Sequence, residues 1–190
     1  MVESLRPSKQ LILWIDLEMT GLDPEKDSIL EVAAIVTNSD LVTIEEGPDL
    51  VVQHSADEFD LMDRWNQKQH TKSGLWTRAL DSTVTTADAE KHMLKFVKKY
   101  FNKKDRAMIA GNSIWQDRRF IINHMPHFEE YLHYRMIDVS SLKLLTKNWY
   151  PKVLVPKKRE NHRAMDDIRE SIEELKFYRT YIFRNPDDVQ

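Results

Sequence analysis

The 190-residue chain is 41% hydrophobic, contains no cysteine and carries a formal net charge of -3. Without cysteine there are no disulfides, thiolate metal sites or cysteine nucleophile, so any metal must be held by Asp, Glu or His. The modest negative charge excludes a basic nucleic-acid coat, although acids collected at a metal site can offset basic residues elsewhere.

Length and the lack of low-complexity tracts predict one globular domain over residues 1–190. No run approaches the ~20 apolar residues of a membrane span, and the first residues lack an apolar segment of signal-peptide length. A soluble, cytoplasmic protein is the resulting expectation.

Leu11 to Ile15 is a short, continuously apolar run that predicts a strand buried on both faces. Asp16 and Glu18 follow, two residues apart and therefore on one face of that strand. Two adjacent carboxylates at the end of a buried strand repel each other and are poorly solvated, a strain that hard divalent cations would relieve. For an isolated Asp-x-Glu, two solvated acids at a strand end is the plainer reading, so the rest of the chain must decide.

After a turn at Gly21 to Pro24, Ser28 to Thr37 reads as a second strand, and Leu41 to Gln53 as a third interrupted near Gly47-Pro48. Glu58 to Thr71 and Ser73 to Leu80 read as short helices. A firmer helix begins at Thr86, with Ala89, Met93, Phe96, Val97, Tyr100 and Phe101 at helical spacing. Ala107 to Asn112 predicts a fourth strand, Gln116 to His124 a helix, Tyr134 to Val139 a fifth strand and Ser140 to Trp149 a helix. The final helix, Ala164 to Phe183, buries Ile168, Ile172, Leu175, Tyr178 and Ile182. An antiparallel meander followed by alternating strands and helices predicts an α/β fold, with a mixed central sheet flanked by helices.

Lys147 to Arg163 carries Lys147, Lys152, Lys157, Lys158, Arg159 and Arg163 against the single acid Glu160. Alone it reads as a solvated loop; beside a cluster of acids it becomes a phosphate-attracting rim. Asp117 lies just after the fourth strand, and His162, Asp166 and Asp167 lie at the start of the last helix, where α/β proteins place active sites. Spacing pairs His162 with Asp166 on one helical face, but a His162 on the preceding loop leaves Asp167 equally available.

The stretches Trp14-Ile-Asp-Leu-Glu-Met-Thr-Gly-Leu22, Gly111-Asn-Ser-Ile-Trp-Gln-Asp-Arg-Arg-Phe120, His133-Tyr-Arg-Met-Ile-Asp-Val-Ser140 and His162-Arg-Ala-Met-Asp-Asp-Ile-Arg-Glu170 closely resemble the oligoribonucleases, of the histidine subtype of the DEDD exonuclease superfamily. The resemblance extends to Leu61-Met-Asp-Arg-Trp-Asn66, to His70-Thr-x-Ser-Gly-Leu75 and to the closing helix. It implies an RNase H-like fold and a homodimer. It also implies removal of 5'-mononucleotides from the 3' end of very short single-stranded RNA, down to dinucleotides.

By resemblance, Asp16, Glu18, Asp117 and Asp167 form the acidic metal site and His162 is the general base, with Asp166 a neighbour. Two ions ~3.5–4 Å apart would serve phosphodiester hydrolysis, and oxygen ligands favour Mg²⁺ or Mn²⁺. Asp16 is expected to bridge the ions, Glu18 and Asp167 to complete one of them, and Asp117 to act partly through water. The resemblance further implies that Leu22 and Trp65 hold bases, and that His70, Ser113, Arg135 and Ser140 close around the 5'-terminal phosphate. Tyr134 would be supplied by the partner subunit.

Two features depart from the family pattern. Trp115 stands where a small residue is expected, and the Pro-Lys-rich approach to His162 is distinctive. Three other readings compete: an exonuclease acting on longer strands, a non-catalytic RNA-binding module, and a phosphatase acting on small molecules.

Overall fold

The structure is a computed structural model of the chain that describes residues 10–156 and 163–184. The strands are β1 (Ile12–Met19), β2 (Ile29–Thr37), β3 (Thr43–Val51), β4 (Ala107–Gly111) and β5 (Leu132–Asp138). A 3-10 turn (Ala56–Leu61) precedes α1 (Arg64–Lys72), α2 (Leu75–Asp81) and α3 (Thr86–Val97). The second half carries α4 (Ile114–His124), α5 (Pro126–Glu129), α6 (Val139–Trp149) and α7 (Ala164–Tyr181).

The five strands form one sheet in the order β3-β2-β1-β4-β5. β1 to β3 pair antiparallel, whereas β4 runs parallel to both β1 and β5. This is the mixed, helix-flanked sheet that the patterning predicts.

β1 sits at the centre and is buried on both faces. Leu13, Ile15 and Leu17 pack with Met93 and Phe96 of α3, Phe120 of α4 and Phe128 of α5. Ile12 and Trp14 pack on the other face with Ile168, Ile172 and Tyr178 of α7. Side chains alternate along a strand, so Asp16 and Glu18 continue the row that faces α7. A smaller cluster of Leu30, Met62, Leu75, Trp76 and Ala79 seats α2 and the chain ahead of α1 against β2. Asp63 caps α1 by accepting from Trp65 N (2.8 Å) and Asn66 N (2.9 Å), and Thr85 caps α3 by accepting from Asp88 N (3.1 Å).

The structure corrects several expectations. β1 runs on to Met19, so the strand outlasts the apolar run Leu11 to Ile15 by four residues and carries both acids. β3 is continuous through Gly47-Pro48, and the irregularity appears as a register jump from Ala33↔Asp49 to Ile35↔Glu46. Proline is tolerated there because β3 is an edge strand, whose outward N–H needs no ladder partner. Glycine precedes it because a Cβ at position 47 would lie 2.5 Å from Phe96 ring carbons. α3 stops at Val97, with Tyr100 in the turn that follows and Phe101 just after it, and α4 starts at Ile114, two residues early.

Candidate active site

Asp16 and Glu18 project from the C-terminal half of β1, and Asp167 descends from the first turn of α7. Each offers a carboxylate oxygen, and the three atoms lie within 4.8 Å of one another. The choice left open by spacing is decided by geometry: Asp167 faces β1. Asp166 turns outward to Arg169 Nη1 (2.9 Å), and Arg169 also donates to both oxygens of Glu46.

Asp117, in the first turn of α4, is buried beside this trio and accepts from Leu17 N through Oδ1 (2.9 Å). β4 accompanies β1 only from Ile12 to Trp14, so Leu17 N–H lies past the end of the parallel ladder. Asp117 supplies the acceptor that the missing strand would have given. It thereby locks α4 to the peptide between Asp16 and Glu18.

Burial, then the charges of Asp167, Glu31 and Asp117, pushes the Glu18 carboxyl up to about 8, with Arg78 opposing the rise. Crowded, desolvated carboxylates of this kind are unfavourable until a cation joins them. An all-oxygen donor set fits a hard divalent ion such as Mg²⁺ or Mn²⁺. His162, together with Lys157, Lys158, Arg159 and Glu160 of the basic segment, lies outside the described residues.

Leu22 is 70% and Trp65 63% exposed, two apolar surfaces at the turn after β1 and on α1. Leu22 is held through its carbonyl, which accepts from Gln116 Nε2 (2.7 Å) and Arg119 Nη1 (3.4 Å), both on α4. Arg119 also lies over the exposed Trp115 ring at 5.9 Å. The unusual tryptophan thus stands beside the Leu22 turn.

Ser113 and Ser140 come together at the ends of β4 and β5, with Ser113 Oγ donating to Ser140 Oγ (3.2 Å). Asp138 Oδ1 accepts from both of their backbone N–H groups, at 3.0 and 2.9 Å. Ser113 holds a left-handed backbone (φ 52°) at the N-terminus of α4. Tyr134 and Arg135 lie elsewhere on the edge strand β5, stacked on each other at 5.3 Å, and no described hydrogen bond joins Arg135 to either serine. His70 is buried and donates through Nε2 to the Met19 carbonyl (2.9 Å), which braces α1 against the end of β1. Arg163, read from sequence as part of a phosphate-attracting rim, instead pairs with the buried Glu31 (3.4 Å).

Sequence reasoning missed Gln116 and Glu31. Gln116 gave no signal, since a polar residue in the first turn of a helix is ordinary. Glu31 did give one: it is a lone charge inside the apolar run Ile29-Leu-Glu-Val-Ala-Ala-Ile-Val36, and a charge in a buried strand requires a partner.

Residues 13–175 match the family model RNase_T, described as an exonuclease. An oligoribonuclease of Pseudomonas syringae pv. tomato is 50% identical over 177 residues, covering 93% of this chain and 98% of the relative. That of Halorhodospira halophila is 51% identical over 176 residues, covering 92% and 96%. Among solved structures, E. coli exonuclease I in complex with a 5cy-dT13 oligonucleotide aligns with a TM-score of 0.70 at 16% identity, over 92% of this chain and 42% of the other. That likeness is one of fold, and this chain spans less than half the length of exonuclease I.

Proposed function

We propose, from the premise that this chain belongs to the oligoribonuclease family of exonucleases, that it hydrolyses very short single-stranded RNA from the 3' end, down to dinucleotides, and releases 5'-mononucleotides. The observation that carries the reading is the meeting of Asp16, Glu18 and Asp167 oxygens within 4.8 Å, with Asp117 tied to the peptide between the first two. These four residues would hold two divalent ions, Mg²⁺ or Mn²⁺. When bound, such ions supply neutralisation of the phosphoryl charge, activation of water and stabilisation of the departing 3'-oxygen.

The protein's own groups do the rest. His162 takes the proton from the attacking water on a ring nitrogen, a task suited to a group that titrates near neutrality. Leu22 and Trp65 contact the bases, where stacking is tolerant of sequence because every base has a π-face. Ser113 and Ser140 receive the 5'-terminal phosphate with His70 and Arg135, and Tyr134 acts from the partner subunit of a homodimer. A pocket walled at that phosphate favours substrates that end there, and donors left unpaired penalise those lacking it. Among the described residues no helix is long and apolar enough to cross a membrane, and we place this single exonuclease domain in the cytoplasm.

The test is cleavage of a 5'-labelled RNA dinucleotide and a 5'-labelled seven-nucleotide RNA, each with Mg²⁺, Mn²⁺ or chelator, alongside Asp167→Asn. Metal-dependent cleavage that is much faster on the dinucleotide, and lost in the variant, is expected. Faster cleavage of the longer RNA would overturn the short-substrate assignment, and no cleavage of either would overturn the enzyme.

A further inference from the structure

Glu31 is fully buried near the start of β2, directly opposite Glu18 in the β1–β2 register and hence on the same face of the sheet. Like charges placed so are unfavourable unless cations intervene, and here two do. Glu31 Oε1 accepts from Arg78 Nη1 of α2 (2.9 Å) and lies 3.4 Å from Nε of Arg163, the residue before α7. Its other oxygen accepts from Ala164 N (3.1 Å), the first N–H of α7.

Arg163 occupies the N-cap position of α7 and gives the helix no side-chain acceptor there. Glu31 supplies one from the neighbouring strand, as a carboxylate at a helix N-terminus, where negative charge is favoured. Ala164 and Asp167 are three residues apart on that first turn and share a face of the helix. Fixing the first N–H therefore fixes the rotation and height at which Asp167 meets Asp16 and Glu18.

The geometry points to Glu31 as a positioning residue of the metal centre: its carboxylate clamps the start of α7 to β2 and so sets Asp167 against the two acids of β1. This rests on the reading of those acids as metal ligands. Glu31 itself is no member of the 4.8 Å group formed by Asp16, Glu18 and Asp167. It acts through Asp167, with Arg78 and Arg163 holding its charge in place.

Glu31→Asp keeps the charge but withdraws the carboxylate by one methylene, out of reach of Ala164 N. Mn²⁺ binding to the intact protein is measured by calorimetry without substrate, and kcat and KM on the dinucleotide at saturating Mn²⁺, all well below the melting temperature. The expected result is Mn²⁺ affinity about tenfold weaker and kcat about tenfold lower, with KM within about twofold. A variant that melts earlier yet binds Mn²⁺ and turns over like the parent would reduce Glu31 to a structural role and overturn the proposal.

Arg163→Gln, at a half-exposed position, decides the matter if Glu31→Asp does not fold. Loss of a nearby cation would by charge alone tighten Mn²⁺, whereas a Glu31 carboxylate held by Arg78 alone grips Ala164 N less firmly and weakens it, by about threefold; unchanged or tighter binding overturns the proposal. Absence of Mn²⁺ binding by the parent protein is a different result, which removes the metal-site reading itself and this inference with it.

Discussion

Glu18→Gln is expected to make the metal-free protein more stable while abolishing its activity. The Glu18 carboxyl is raised from 4.5 to about 8 in the folded protein, by burial and by Asp167, Glu31 and Asp117. In the unfolded chain it titrates near its ordinary value. A raised folded-state value means that the stabilising contribution is complete below about pH 4.5 and is lost as pH climbs toward about 8.

At ~1.4 kcal/mol per pH unit, the loss between the ordinary value and pH 7 is about 3 kcal/mol. Glutamine has nothing to ionise and escapes it. For a chain of this size ~1 kcal/mol moves the melting temperature by ~2–4 °C, so in chelator at pH 7 the variant should melt up to about 6–12 °C higher. The assay is thermal unfolding of both proteins in chelator at pH 5, 6, 7 and 8. The gap should widen as pH rises and nearly close at pH 5. Adding Mg²⁺ or Mn²⁺ should reverse the order, because ligand binding to the folded state stabilises the parent and the variant lacks a ligand. A variant that melts at or below the parent in chelator, or a gap that narrows with rising pH, would refute the reasoning.

Three further outcomes are expected. Asp117→Asn retains an acceptor for Leu17 N–H, so stability in urea should change by less than ~1 kcal/mol while dinucleotide cleavage falls about a hundredfold or more. Gly47→Ala places a methyl 2.5 Å from Phe96, and should lower stability by about 1–3 kcal/mol with kcat unchanged below the melting temperature. Gln116→Ala removes the shorter of two bonds to the Leu22 carbonyl; at ~0.5–1.5 kcal/mol per hydrogen bond, steady-state kinetics should show KM for the dinucleotide rising about three- to tenfold with kcat little changed.

Much of the frame was legible because it follows from local periodicity. An apolar run that turns acidic places Asp16 and Glu18 on one face, whatever the rest of the fold, since side-chain alternation is a property of the strand backbone. The same holds for the apolar stripe of the last helix, whose Ile168, Ile172 and Tyr178 are buried where spacing puts them. Element ends were less legible: Ser113 starts α4 early through a left-handed residue, and Gly47-Pro48 bulges β3 without ending it. In both cases a partner distant in sequence decides, Asp138 for Ser113 and Phe96 for Gly47.

The sequence by itself determined the strand that carries two acids, the helix that returns a third, and the family they belong to. Helical spacing left Asp166 and Asp167 open and the family resemblance chose Asp167, which the geometry turns to β1; only the tertiary structure decided that Asp117 spends an oxygen on Leu17 and that Glu31 collects Arg78, Arg163 and the start of α7. The physical reason is chain distance. The contacts of Asp117 with Leu17 and of Glu31 with Ala164 span 100 and 133 residues, and no local pattern encodes which buried charge will meet which donor once the sheet and helices close.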